Sequence, residues 1–86
     1  MQQSFFEPTP LGVLPVGSSA RIVQIRGGRE LTRKLLGLGL RIGSEICVEH
    51  HRGRGSVVSA GAARVALGGG ICDKLLVVPL NMATDR

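Results

Sequence analysis

Residues 30–43 read Glu30-Leu31-Thr32-Arg33-Lys34-Leu35-Leu36-Gly37-Leu38-Gly39-Leu40-Arg41-Ile42-Gly43. No other segment of the chain repeats its apolar residues at helical spacing: Leu31, Leu35 and Leu38 stand at i, i+4 and i+7. The spacing predicts one amphipathic helix that starts near Arg29 or Glu30 and ends at Gly39. Glu30 in the first turn suits the positive end of the helix dipole, and it lies four residues before Lys34 as a supportive pair. Gly39 permits a left-handed cap, while Gly37 weakens the last turn. A helix of about nine residues does not hold in water alone, so its leucine stripe is expected to rest on strands. At about 100° per residue Leu36 falls roughly 140° from Leu31, outside that stripe. Two readings of Leu36 stay open: an exposed anchor for a partner, or a second contact with the core.

Outward from the helix, the pattern changes to short strands. Ala20 to Ile25 precedes it, its alternation broken at Ile22-Val23, which suits a bulge or a bend. After the helix, Glu45 to His51 alternates, with Ile46, Val48 and His50 on one face and Cys47, Glu49 and His51 on the other. Arg52-Gly53-Arg54-Gly55 is a hairpin tip, Ser56 to Ala60 returns, and Arg64 to Leu67 follows the turn at Gly61-Ala62-Ala63. Gly68-Gly69-Gly70 breaks the pattern, Ile71 to Lys74 is read as one helical turn, and Leu75 to Val78 forms a buried last strand stopped by Pro79. About five strands with glycine turns and one inserted helix predict a mainly β fold, a small and strongly bent barrel. Residues 1–10 are read as an irregular lead-in whose Phe5 and Phe6 cover one end of the core, 11–80 as the domain, and 81–86 as a polar tail.

The chain's 86 residues are enough for one domain, which buries only about 60–65% of the surface its unfolded chain exposes. Hydrophobic residues at 43% and charged residues at 20% exclude a chain disordered by composition. The longest apolar runs fall far short of the roughly 20 residues of a membrane span. The N-terminal residues lack the basic and apolar regions of a signal peptide, so a cytoplasmic location with free thiols at Cys47 and Cys72 is expected. The net charge of +5 favours acidic partners. Nucleic acid is one such class, but the only aromatic residues are Phe5 and Phe6, and single-strand binders stack bases on aromatic rings.

Chemistry-bearing clusters are few. Cys47, His50 and His51 are the candidate metal ligands, of types that suit zinc or iron. The expected strand puts Cys47 and His51 on one face and His50 on the other, and a structural site needs about four ligands. No obligatory cofactor is therefore expected. Adventitious divalent metal on the exposed histidines, bridging two copies into a weak homo-oligomer, is the alternative. Gly68-Gly69-Gly70 lacks the Gly-Lys-Ser/Thr ending of a phosphate-binding loop and reads as a tight turn. No nucleophile has a credible base and third member, and no paired carboxylates suggest acid–base work, so the chain is not expected to be an enzyme. Arg52 and Arg54 at the hairpin tip, with the helix cations, are what a nucleic-acid-binding barrel would use. The bland reading, a solvated turn and a solvated helix face, stands beside it.

Three blocks in register resemble the FeoA family: Arg33 to Gly43 followed by Glu45-Ile46-Cys47-Val48; Leu14-Pro15-Val16-Gly17 before the first strand; and Arg64-Val65-Ala66-Leu67-Gly68 with Ile71-Cys72 and Leu75-Leu76-Val77. Ile42 stands where the family commonly has proline, and Cys72 where it has a small alanine. The resemblance implies an SH3-like barrel with a helix inserted after the first strand. It further implies a non-catalytic accessory of ferrous iron uptake that engages the cytosolic side of a FeoB-like GTPase permease. FeoA-like domains also end metal-dependent repressors, a context not expected here because no DNA-binding helical region precedes the barrel. On the residues themselves, Arg33, Lys34, Leu36, Leu40 and Arg41 are the expected partner surface, an apolar anchor ringed by cations.

Overall fold

The computed structural model describes residues 7–80; the readings of Phe5 and Phe6 and of the 81–86 tail lie outside these. Six strands form one antiparallel sheet: β1 (Thr9–Pro10), β2 (Ser19–Ile25), β3 (Glu45–Arg52), β4 (Gly55–Ala60), β5 (Ala63–Leu67) and β6 (Leu75–Pro79), in the order β1-β6-β2-β3-β4-β5. The class is the expected one, with one strand more than the sequence suggested. Thr9 and Pro10, read as lead-in, pair with Val77 and Leu76. A two-residue strand with a proline has no periodicity to read, and proline is tolerated there because β1 is an edge.

Each longer strand buries alternate residues on one face: Ala20 and Ile22, Ile46 and Val48, Val65 and Leu67, Leu75 and Val77. These close over Leu11, Leu14, Val58 and Cys72 into one core cluster. The β2–β6 register shifts between Ile22 and Gln24, which is the bulge suggested by Ile22-Val23. Glycines Gly53 (φ +58°) and Gly61 (φ +62°) open the two-residue turns of the β3–β4 and β4–β5 hairpins, where positive φ suits the sheet's twist. The triple glycine introduces a single turn, α2 (Gly69–Cys72), two residues ahead of the turn expected at Ile71 to Lys74.

The inserted helix is α1 (Arg29–Gly37). Leu35 is fully buried and Leu31 partly, but Leu38, expected in the same stripe, is 40% exposed. The cause is the way the helix stops. Gly39 takes φ +87°, its N–H bonds the Leu36 carbonyl at 2.9 Å, and the Leu40 N–H bonds the Leu35 carbonyl at 2.8 Å. That pair of bonds is a Schellman motif, whose residue after the glycine packs against the helix residue three before the cap. Leu40 therefore swings under the last turn to join Leu35, and both have no exposed surface. Gly39→Ala adds a Cβ into open space but forces the left-handed conformation on it, so a loss of about 1 kcal/mol in denaturant melts is expected.

Candidate functional site

Four residues after the glycine cap, the chain makes a second tight turn. In Arg41-Ile42-Gly43-Ser44 the Ser44 N–H bonds the Arg41 carbonyl at 3.0 Å, and Gly43 carries φ +99°. Positive φ at the third position identifies a type II turn. The turn is strapped to the sheet, the Gly43 N–H bonding the Ile22 carbonyl at 2.7 Å and the Ile22 N–H the Ser44 carbonyl at 2.9 Å. A rigid mount thus presents Ile42 at its tip, 60% exposed, a few residues past the helix end where Leu36 is 56% exposed.

Leu36 is settled as an exposed residue, off the buried stripe. Leu40 must be withdrawn from the expected partner surface, because the Schellman motif buries it completely. Leu38 and Ile42 take its place as exposed apolar residues that the sequence reading missed. The signal was available: a glycine at the cap position predicts an inward apolar residue directly after it. Arg33, Lys34 and Arg41 are all exposed, and among the described residues none of them has an ion-pair partner, since the two ion pairs join Arg21 to Glu45 and Arg54 to Asp73. The helix pair Glu30 and Lys34 makes no such contact. The last turns of α1 and the turn after it therefore carry three exposed apolar side chains, Leu36, Leu38 and Ile42, and three exposed cations without an ion pair among the described residues.

The histidines sit differently from their expected faces. The β3–β4 register shifts between Val48 and His50, so Glu49 is an extra residue, and everything after it changes side. His50 pairs with Val57 and shares the outer face with Cys47, whereas His51 pairs with the buried Ser56. The expected faces of His50 and His51 are thereby exchanged. His51 Nδ1 lies 2.8 Å from Ser56 Oγ, and its Nε2–H donates to the Leu14 carbonyl. A carbonyl only accepts, so Nε2 carries a proton, and Nδ1 is left to share a hydrogen bond with the serine hydroxyl, which can either donate or accept. Both ring nitrogens are thus engaged in fastening the β3–β4 hairpin to the Leu14 loop. Among the described residues no group of three or more His, Cys, Asp or Glu is placed to hold a metal ion. His51→Phe leaves Ser56 Oγ buried without its partner and is expected to lower stability by about 1–3 kcal/mol. His50→Ala, on the outer face, is expected to change it by less than about 0.5 kcal/mol, thermal melts of the two variants beside the parent chain being the check.

The family model of the FeoA domain matches residues 9–79, which spans the whole sheet with both helices. The chain belongs to the FeoA family. A crystal structure of an iron uptake regulatory protein, FeoA, superposes with a TM-score of 0.79 at 31% identity, over 86% of this chain and all of that one. The iron(II) transport protein A of Clostridium thermocellum gives 0.76 at 28% identity, over 84% of this chain and 46% of that one. A manganese-dependent transcriptional repressor gives 0.79 at 20% identity, this chain spanning 44% of its length, and that likeness concerns the fold alone. None of the curated proteins compared matches the chain. The FeoA match covers the SH3-like barrel, its helical insertion and the Leu36–Ile42 end together. Among the described residues no helix is long and apolar enough to cross a membrane.

Proposed function

We propose that this FeoA-family chain is a non-catalytic accessory of ferrous iron uptake that docks on the cytosolic part of a FeoB-like GTPase permease through Leu36, Leu38 and Ile42. The observation that carries the reading is the exposure of Leu36, Leu38 and Ile42 along the end of α1 and the turn after it, in a stretch that also exposes Arg33, Lys34 and Arg41. An exposed apolar group with a polar, charged rim has the anatomy of a protein interface, the centre supplying affinity and the rim steering an acidic surface. The barrel serves as its rigid stand. The family match and the iron-transport names of the relatives supply the process. In this reading the chain acts in the cytoplasm, reaches the inner membrane only through its partner, and needs no cofactor. Calorimetric titration of the full chain with the purified cytosolic domain of the cognate permease is the test. Saturable binding that Leu36→Asp removes is expected; equal affinity in a folded Leu36→Asp variant overturns this surface.

A further inference from the structure

A second surface lies at the opposite end of β3 from the Arg41–Ser44 turn, and its role is independent of the one given to the α1 end. β5 is an edge of the sheet. Among the described residues, its backbone bonds to β4 and to no other main-chain segment. Such an edge offers a row of donors and acceptors to an incoming strand. Its exposed residues are Ala63, Arg64 and Ala66, of which Arg64 and Ala66 share the face opposite the buried Val65 and Leu67, and the two alanines are too small to obstruct a neighbour.

On the outer face of the β4–β5 pair, next to this edge, lies a groove of about 400 Å³ lined by Val57 and Ala66 and by Arg52 and Arg54 of the hairpin tip. Two glycines hold its walls together. A Cβ on Gly69 would lie 2.7 Å from the Arg54 Cβ, and one on Gly55 would lie 2.5 Å from the Leu67 carbonyl oxygen. The hairpin tip is thus pressed against the Gly68–Gly70 segment, and its Arg52 and Arg54 line the groove. Arg54 has only a long, exposed contact with Asp73, 3.6 Å, and among the described residues Arg52 has no ion pair. An exposed pair of that kind gives up little when a better carboxylate arrives.

The geometry points to β5 and the adjoining groove as a docking site for an extended acidic segment of a protein, added to the sheet as a further strand with its carboxylates facing Arg52 and Arg54. Alternate residues of a strand share one face, so a segment with acidic residues at every second position meets both arginines while its backbone pairs with β5. Charge selects this occupant. A second copy would bring +5 against +5 and set the two Arg64 side chains near one another. A nucleic acid would find no Phe, Tyr or Trp to stack on among the described residues.

The probe is the peptide acetyl-Glu-Val-Glu-Val-Glu-Val-amide, titrated into the ¹⁵N-labelled full chain, with the lysine counterpart acetyl-Lys-Val-Lys-Val-Lys-Val-amide beside it. Saturable amide shifts over residues 63–67 and 52–55 are expected, with a dissociation constant of about 1 mM or tighter. The double variant Arg52→Ser/Arg54→Ser, altered only at exposed positions, is expected to weaken binding about tenfold or more while its spectrum stays folded. Equal shifts from the lysine peptide, shifts confined to α1, or no saturation overturn the proposal. Concentration-dependent self-association that protects the β5 amides without peptide assigns the edge to a second copy and overturns it as well.

Discussion

Leu40→Ala is expected to lower the unfolding free energy by about 2–5 kcal/mol, and Leu36→Ala to change it by no more than about 0.5 kcal/mol. The two leucines are four residues apart in one apolar stretch, yet one has no exposed surface and the other is 56% exposed. Truncating Leu40 removes its transfer free energy and leaves a cavity beneath the last turn of α1, beside Leu35. The main-chain bonds of the cap survive, so the loss reports side-chain packing alone. For a domain of this size the total stability is on the order of 5–10 kcal/mol, which makes the Leu40 loss a large fraction of it. Urea melts with unchanged slope and a shifted midpoint for Leu40→Ala are the expected result. Similar midpoints for the two variants would mean that α1 is not seated as described.

On the docking proposed above, Leu36→Asp is expected to weaken binding to the cytosolic domain of the proposed permease partner by about 30-fold or more, corresponding to about 2 kcal/mol, without loss of fold. A carboxylate in the middle of a docked apolar cluster loses its hydration and gains no partner. Ile42→Asp, at the tip of the strapped turn, is expected to act in the same direction. Arg33→Ala and Lys34→Ala lie on the rim, and each is expected to cost about two- to fivefold, mostly in the association rate and more at low salt than at high. A result with the rim variants stronger than Leu36→Asp would describe an electrostatic encounter and overturn the apolar anchor. Leu40 variants are unsuited to this comparison because they loosen the helix itself.

Most of the fold was legible because its signals are local. Period-two alternation in Glu45 to Val48, the same pattern interrupted once at Ile22-Val23 in Ala20 to Ile25, turn glycines at Gly53 and Gly61, and the i, i+4 leucines of α1 each reveal an element without reference to the others. Two features were not legible from spacing. Helical periodicity places Leu38 inward and leaves Leu40 available, but periodicity ends where the helix ends, and the cap geometry reverses both assignments. The bulge at Glu49 has no residue signature of its own. It exists because β3 must match β4, and it exchanges the faces of His50 and His51, so a metal-site argument built on strict alternation started from the wrong pair. Thr9–Pro10 becomes a strand only because β6 lies beside it.

The helix α1 meets the core through Leu35 and part of Leu31, with Leu40 just past its cap, whereas every strand other than β1 is bonded along its length to a neighbour. Its amides are therefore expected to exchange with solvent at a lower opening free energy than those of β2, β3 and β6. An excursion of the helix away from the barrel takes Leu36 and Leu38 with it but leaves Ile42 on its strapped turn. A partner that recognises all three binds only the seated state, and its apparent affinity carries the fraction of time the helix spends there. Occupancy of this surface then registers as slowed exchange along α1, an ordering of the domain's least anchored element rather than a change in its shape.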